Sequence, residues 1–166
     1  NFMMKTARQY EDSLRQLNLK VFMFGERVSN PVDHPIIRPS MNAVAKTYEM
    51  AHRQEHEDLM TATSHLSGKK INRFTHIHQS VSDLVKKTKM GRLLGAHTGC
   101  CFQRCVGMDA LNALSIITHD IDEACGTSYK KRFLKYLAYV QENDLTCDGA
   151  MTDPKGDRSL APHQQP

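Results

Sequence analysis

The chain has no apolar run that approaches the roughly 20 residues of a membrane-spanning helix. Its first residues, NFMMKTARQYEDSL, lack the apolar core of a signal peptide. There is also no repeat of about 20–50 residues and no low-complexity tract. These absences exclude a membrane protein and a repeat array, so we expect a soluble, cytoplasmic protein without membrane contact.

Strong charge imbalance is missing as well. The 22 basic and 18 acidic side chains are scattered and give a formal net charge of +4. Arginine clusters and aromatic platforms, which nucleic-acid-binding proteins usually show, are not present. We therefore expect no nucleic-acid partner.

The composition favours a folded protein: 166 residues with 40% hydrophobic content can bury one core. The five cysteines are an odd number, and three of them, Cys100, Cys101 and Cys105, lie within six residues. Thiols this close on a helix cannot easily adopt disulfide geometry, which favours reduced thiols or metal ligands. The chain starts just before MM and stops in the polar run GDRSLAPHQQP, so we interpret it as a fragment of a longer protein.

Apolar periodicity and capping residues predict five or six helices. The first spans about 6–18 from a Thr6–Gln9 capping box, and 19–28 is extended. Prolines at 31, 35 and 39 exclude a helix before Ser40, which we expect to cap the next one, over 40–60. Further helices are predicted from 81, through the cysteines to Gly126, and from 129 to 143. Residues 144–166 are turn-rich, which indicates the start of a different unit.

Cys101 and Cys105 are four residues apart and would share one face of a helix. Cys100 would point about 100° away. Two thiolates are half of a four-ligand zinc or iron–sulfur site. The spacing alone equally fits buried structural thiols, the interpretation that we also give to Cys125 and Cys147.

Four stretches, CFQRCVGMDALNAL, VDHPIIRPSMNAVAKTYEMA, GKKINRFTHIHQS and YVQENDLTCDGAMTDPKGDRSLAP, resemble the flavin-dependent 4-hydroxyphenylacetate 3-hydroxylase family. The CFQRC word is specific to the branch of that family that dehydrates a 4-hydroxyacyl-CoA. The resemblance covers most of the chain, from Met4 to Pro162. It implies the amino-terminal part of such an enzyme.

The resemblance implies an all-α amino-terminal domain, residues 1–143, of an acyl-CoA dehydrogenase-like fold, followed at 144–166 by the beginning of a β-domain. It implies FAD and a [4Fe-4S] cluster as cofactors, with Cys101 and Cys105 as two cluster ligands and the others downstream. The implied activity is a flavin-assisted radical conversion of 4-hydroxybutyryl-CoA to crotonyl-CoA, with vinylacetyl-CoA isomerisation. An acyl-CoA substrate and a homo-oligomer, a tetramer by resemblance, follow as partners.

By the same resemblance, a turn at 148–159 passes along the flavin. Met151 and Thr152 would contact the isoalloxazine ring, and Lys155, Asp157 and Arg158 are polar candidates that could equally fix the loop. Gln103 would lie on the helical face opposite the two cysteines, where it could touch flavin or substrate.

Two alternatives remain open at this point. One is a flavin-dependent aromatic monooxygenase of the same family without a cluster, although the region reading CDGA lacks the histidine that the hydroxylase branch has there. The other is a helical module that binds zinc, or nothing, and mediates oligomerisation. The lysine run at 86–92 and the pair His76 and His78 are interpreted as structural.

Overall fold

The computed structural model describes residues 4–99, 101–149, 156–157 and 159–164. Its architecture is mostly helical, as predicted, with a small amount of sheet. The helices are α1 (Ala7–Arg15), α2 (Arg38–Ala51), α3 (Glu57–Met60), α4 (Val81–Thr98), α5 (Cys105–Cys125) and α6 (Tyr129–Glu142). Short 3-10 turns span Gln54–His56, Arg73–Thr75 and Pro162–Gln164.

Two antiparallel hairpins provide the sheet. Strands β1 (Val21–Met23) and β2 (Glu26–Val28) pair with Met23 opposite Glu26. The two loop residues, Phe24 and Gly25, have φ of 52° and 84°, the positive values that a tight hairpin turn requires. Strands β3 (Thr61–Thr63) and β4 (Lys70–Asn72) pair with Thr61 opposite Asn72. The extended segment after α1 is therefore confirmed as a hairpin, whereas the second hairpin was not predicted.

Side-chain caps define the starts of two helices. Thr6 and Gln9 form the predicted capping box of α1, with Thr6 Oγ1 accepting from the Gln9 amide at 3.2 Å. Ser80 caps α4 in the same way through the Asp83 amide. Gly126, at φ 63°, ends α5 as predicted, because the left-handed region costs a glycine little.

Helix α2 corrects two predictions. It begins at Arg38 rather than after Ser40, with Pro39 in its first turn. Proline is tolerated there because the amides of a first turn have no intrahelical acceptor in any case. The helix ends at Ala51 instead of about residue 60. Arg53 is extended, and the chain folds back so that Met60 of α3 meets Met50 of α2 in one apolar cluster.

Three apolar clusters form the core. The first joins the end of α2 to α3, α4 and α5: Met50, Ala51, Met60, Phe74, Met90, Leu94 and Met108. The second joins α1 to α2: Tyr10, Val32, Met41, Val44, Ala45 and Tyr48. The third joins α5 to α6: Ile77, Leu111, Phe133, Leu137 and Val140. The start of α5 thus lies where the first and third clusters meet.

The predicted start of a β-domain at 144–166 remains a prediction, because only part of this range is described. Residues 144–149, 156–157 and 159–164 include no strand, and both hairpins lie before residue 73. Leu145 and Cys147 pack against the third apolar cluster. The division of the chain at residue 143 remains a prediction. No helix in the described ranges is long and apolar enough to cross a membrane.

Candidate functional site: a thiol pair at the start of helix α5

The chain from Gly99 to Cys105, which we call the cysteine segment, links helix α4 to helix α5. Helix α4 ends at Thr98, and Gly99 follows with φ 63°. Helix α5 begins at Cys105, so Cys101 precedes the helix and does not share a helical face with Cys105. The predicted helical geometry of the pair is therefore wrong. Gly99, in the left-handed region, ends α4, and α5 begins as a separate helix six residues later.

The link nevertheless brings the two thiols together. The side chain of Cys101 lies close enough to that of Cys105 to act on the pKa of its thiol. Cys101 is exposed and Cys105 is half-buried. Burial, followed by the neighbouring Cys101, raises the pKa of the Cys105 thiol, while the amides of Val106 and Cys105 act in the opposite direction. The result is a dithiol at a helix amino terminus, open to solvent on one side.

Gln103 lies between the two cysteines and is exposed, with φ 62°. Because it precedes α5, the predicted position on the far face of a helix is also wrong. The next residue, Arg104, is by contrast buried, with an exposure of 1%. The predicted contact of Gln103 with flavin or substrate remains a prediction.

The chain after α6 packs tightly on the first turn of α5. A Cβ placed on Gly107 would lie 1.9 Å from the carbonyl oxygen of Cys147, and one on Gly149 would lie 2.7 Å from Val106. Glycine is required at 107 by this approach of two backbones. Cys147 is half-buried, burial raises the pKa of its thiol, and its Sγ lies 3.9 Å from the Tyr136 hydroxyl.

The predicted flavin contacts fall mostly outside the described residues: Met151, Thr152, Lys155 and Arg158. Asp157 is described and exposed, and its Oδ1 accepts from the amide of Ser159 at 2.9 Å and from the hydroxyl of Ser159 at 2.7 Å. These hydrogen bonds lower the pKa of the Asp157 carboxyl. Asp157 therefore has a local turn contact in this structure.

Three of the other polar groups considered in the sequence have structural partners, whereas both ring nitrogens of His78 have no hydrogen-bond partner among the described residues. Lys86 pairs with Asp58, and Lys87 pairs with Asp109. His76 is buried, with Nε2 3.3 Å from Asp83 Oδ2. In the described ranges, no three His, Cys, Asp or Glu side chains converge on a point where they could hold one metal ion. The predicted role of Cys101 and Cys105 as cluster ligands therefore remains a prediction.

Sequence reasoning missed Arg104 and Gly107, although both lie within or beside the CFQRC word. The sequence does contain a signal for both: a charged residue and a glycine interrupt the apolar start of the helix. Their importance comes from contacts with residues about 40–57 positions away, which no local pattern reveals.

The helical architecture and the thiol pair at the start of α5 define a class: a mainly helical domain that carries two neighbouring cysteines. The chain belongs to the family described as "4-hydroxyphenylacetate 3-hydroxylase N terminal", which it matches over residues 6–166.

Relatives in this family fall into two groups. The chain is 61% identical over 163 residues to 4-hydroxybutyryl-CoA dehydratase/vinylacetyl-CoA-Δ-isomerase of Clostridium aminobutyricum, covering 98% of this chain and 33% of the relative. It is 23% identical over 164 residues to the oxygenase component of 4-hydroxyphenylacetate 3-monooxygenase of Thermus thermophilus, covering 99% of this chain and 33% of the relative. The chain spans about one third of the length of the curated relatives that it matches.

Solved structures show the same fold. An oxygen-tolerant archaeal 4-hydroxybutyryl-CoA dehydratase from N. maritimus matches with a TM-score of 0.88 and 55% identity, over 98% of this chain and 32% of that one. The oxygenase component HpaB in complex with FAD and 4-hydroxyphenylacetate matches with a TM-score of 0.72 and 22% identity, over 98% of this chain and 33% of that one. The second likeness concerns the fold alone.

Proposed function

We propose that this chain is the amino-terminal part of an FAD- and [4Fe-4S]-dependent dehydratase that converts 4-hydroxybutyryl-CoA to crotonyl-CoA and isomerises vinylacetyl-CoA. Identity of 61% and 55% to two dehydratases, each over 98% of the chain, supports this assignment. Identity to the monooxygenases is 21–25% over a similar span. The acyl-CoA dehydrogenase-like description of the whole fold is part of the same proposal.

The observation that carries the proposal is the adjacency of the Cys101 and Cys105 thiols. The donor set fits an iron–sulfur cluster, because cysteine thiolates are its usual protein ligands and a partly exposed pair leaves room for a bulky inorganic group. Cys101 and Cys105 would hold two of the four cluster irons, and the remaining ligands would come from outside the described residues. When bound, the cluster would supply a Lewis-acidic iron and FAD a one-electron acceptor.

The residues of this chain would then have distinct tasks. The amides at the start of α5 face the Cys105 sulfur, favouring its thiolate form against the opposing effects of burial and of Cys101. Gln103, exposed between the two cysteines, is proposed as a contact to flavin or substrate. Met151, Thr152, Lys155, Asp157 and Arg158 are proposed as flavin-side residues. FAD-bound structures of the distant relative HpaB support a flavin in this family.

An acyl-CoA substrate and self-association into a homo-oligomer complete the proposal. Exposed apolar side chains on α5, among them Ile116 at 65%, provide surface that another part of the full-length protein or another subunit would cover. Sedimentation of the full-length protein tests the assembly, and a purely monomeric species at micromolar concentration would contradict it.

A flavin-dependent aromatic monooxygenase is the second candidate, because the matching family is described by that activity. The two activities differ in their need for the thiol pair. A monooxygenase would need no iron or sulfide, and its activity would survive loss of either cysteine.

We therefore expect Cys101→Ala and Cys105→Ala, each in the full-length protein, to lower the bound iron and acid-labile sulfide and to abolish crotonyl-CoA formation. The reason is that each variant leaves a cluster iron without its thiolate. Iron and sulfide are measured after anaerobic purification, and crotonyl-CoA is measured by chromatography.

Cys125→Ala is the matched control, since Cys125 is an exposed free cysteine at the far end of α5, about 30 Å along the helix axis from Cys105. It should retain wild-type iron, sulfide and activity. Equal iron and sulfide in the wild type and all three variants would remove the cluster assignment. Stoichiometric zinc without sulfide in the wild type would instead favour a zinc-binding module.

A further inference from the structure

Arg104 is a charged residue in the apolar core. It occupies the position before the first residue of α5, directly before Cys105, and its exposure is 1%. Burying a guanidinium removes its hydration, and this penalty must be offset by contacts inside the protein. The contacts that the guanidinium makes inside the protein therefore indicate the role of Arg104.

Two aromatic rings contact the Arg104 guanidinium. The guanidinium carbon lies 4.3 Å from the ring centre of Tyr48 and 4.5 Å from that of Phe74. Tyr48 in turn stacks on Tyr10 at 4.7 Å, and Phe74 meets Phe102 at 5.7 Å. We call these five residues the Arg104 cluster. Its members come from α1, α2, the 3-10 turn at 73–75 and the cysteine segment, so one side chain joins two of the apolar clusters.

Hydrogen bonds offset little of the cost of burying the Arg104 guanidinium. Nη1 donates to Thr47 Oγ1 at 3.0 Å, and Nη2 lies 4.0 Å from Asp144 Oδ1, beyond a normal hydrogen bond. Nε and Nη2 of Arg104 and Oδ1 of Asp144 have no hydrogen-bond partner among the described residues. Replacing both members of a buried ion pair by apolar side chains is often neutral for stability, whereas replacing Arg104 alone would leave the buried Asp144 carboxylate without this cation. The two ring contacts, rather than hydrogen bonds, therefore set the orientation of the Arg104 guanidinium.

The cysteine segment alternates in direction around this anchor. Phe102 packs against the first apolar cluster and Arg104 is buried, whereas Cys101 and Gln103 are exposed. Phe102 and Arg104 both contact Phe74, so two inward side chains hold the bend from both ends. A planar guanidinium over two rings has a restricted orientation, whereas a flexible apolar side chain would not.

We propose that Arg104 is a positioning residue that holds the Cys101 sulfur beside the Cys105 sulfur. The Arg104 cluster fixes the bend at 102–104, and the bend fixes the separation of the two thiols. The relevance of this spacing to catalysis rests on the proposed function, but the spacing itself is a property of the polypeptide.

The test measures how readily the two thiols join in the full-length protein prepared without cofactors. In glutathione buffers, the protein dithiol and glutathione disulfide exchange to give the Cys101–Cys105 disulfide and two reduced glutathione molecules, with no other oxidant. Mass spectrometry of quenched, digested samples gives the fraction of this disulfide. We expect Arg104→Met to lower its equilibrium constant about tenfold or more, because the sulfurs lose their fixed separation.

Arg132→Met is the matched control: Arg132 is an exposed arginine whose guanidinium also lies over a ring, that of Tyr129, at 5.2 Å. It should leave the equilibrium unchanged. Circular dichroism checks that each variant is folded. An unchanged disulfide equilibrium in folded Arg104→Met overturns the proposal.

If Arg104→Met does not fold, the Phe74→Leu variant provides the test, because it removes one of the two rings that contact the guanidinium and keeps an apolar side chain in the core. A lowered equilibrium constant in folded Phe74→Leu supports the proposal, and an unchanged one overturns it. Wild-type protein that contains no iron or sulfide would refute the proposed function, while the disulfide equilibrium would still test the role of Arg104.

Discussion

Asp83 shows how a single carboxylate can organise a helix start. Its Oδ1 accepts from Arg73 Nη1 at 3.1 Å, and its Oδ2 accepts from the Gln79 amide at 3.0 Å and from Ser80 Oγ at 3.2 Å. His76 Nε2 lies 3.3 Å from the same Oδ2. These contacts connect α4 to the turn that carries Phe74.

Burial alone would raise the pKa of Asp83, but the hydrogen bonds from Gln79, His76 and Ser80 outweigh it and hold the pKa well below its ordinary value. A carboxyl whose pKa is lower in the folded protein than in the unfolded chain stabilises the fold above the unfolded pKa of about 3.9. That contribution is lost as the pH falls through the folded pKa.

We accordingly predict that Asp83→Asn lowers the free energy of unfolding at pH 7 by about 1–3 kcal/mol, because Arg73 and the helix start lose an ionised acceptor. The difference from wild type should shrink between about pH 4 and pH 2. Urea unfolding at several pH values measures it. Asp120→Asn, at an exposed position on α5, should be near neutral throughout. A difference for Asp83→Asn that stays constant with pH would contradict the argument.

At the level of elements, local chemistry predicted the helix ends that depend on local contacts. The Thr6–Gln9 box, the Ser80 cap and Gly126 are each satisfied within a few residues, so the sequence was sufficient. The start of α5 was mispredicted because burial of Arg104 and Phe102 bends the chain before Cys105. The residues that bind them, Tyr48 and Phe74, are remote in sequence, and helical periodicity cannot report such contacts.

The contact between the first turn of α5 and the chain after α6 makes a sharp prediction. Gly107→Ala should lower the free energy of unfolding by about 1–3 kcal/mol, because its Cβ would lie 1.9 Å from the Cys147 carbonyl oxygen and the backbone would have to move. Thermal unfolding followed by circular dichroism measures the change.

Gly91→Ala is the control for this prediction. Gly91 lies inside α4, and a Cβ there would meet nothing within 4 Å. The same substitution should therefore stabilise the protein by about 0.5–1 kcal/mol through helix propensity. Equal stability of Gly107→Ala and the wild type would show that the two backbones do not approach as described.

For the molecule as a whole, the proposed site would be half of a ligand set. A [4Fe-4S] cluster takes four protein ligands, and the described residues bring together only the two thiols of Cys101 and Cys105. The resemblance to a family of longer enzymes predicts this division of the ligands, which remains a prediction. The sequence did not indicate how the two thiols meet, because that depends on the core around Arg104.

We predict that the 166-residue chain, reconstituted with iron, sulfide and FAD, retains less than stoichiometric iron and forms no crotonyl-CoA. The full-length protein treated in parallel should retain stoichiometric iron and form crotonyl-CoA. Iron analysis after gel filtration and chromatography of the acyl-CoA products provide the measurements. Crotonyl-CoA formation by this chain alone would mean that its own residues complete the site.

Burial along α5 is uneven, and its two halves should therefore open on different timescales. Gly107, Met108 and Leu111 are the buried residues of this 21-residue helix, and all lie in its first two turns. Ile116 and Ile117 further along are exposed. Amide hydrogens at 108–112 should exchange with solvent deuterium at rates near those of global unfolding, and those at 116–121 should exchange faster by one or more orders of magnitude. The end that carries Cys105 would then be the slow-exchanging end of the helix.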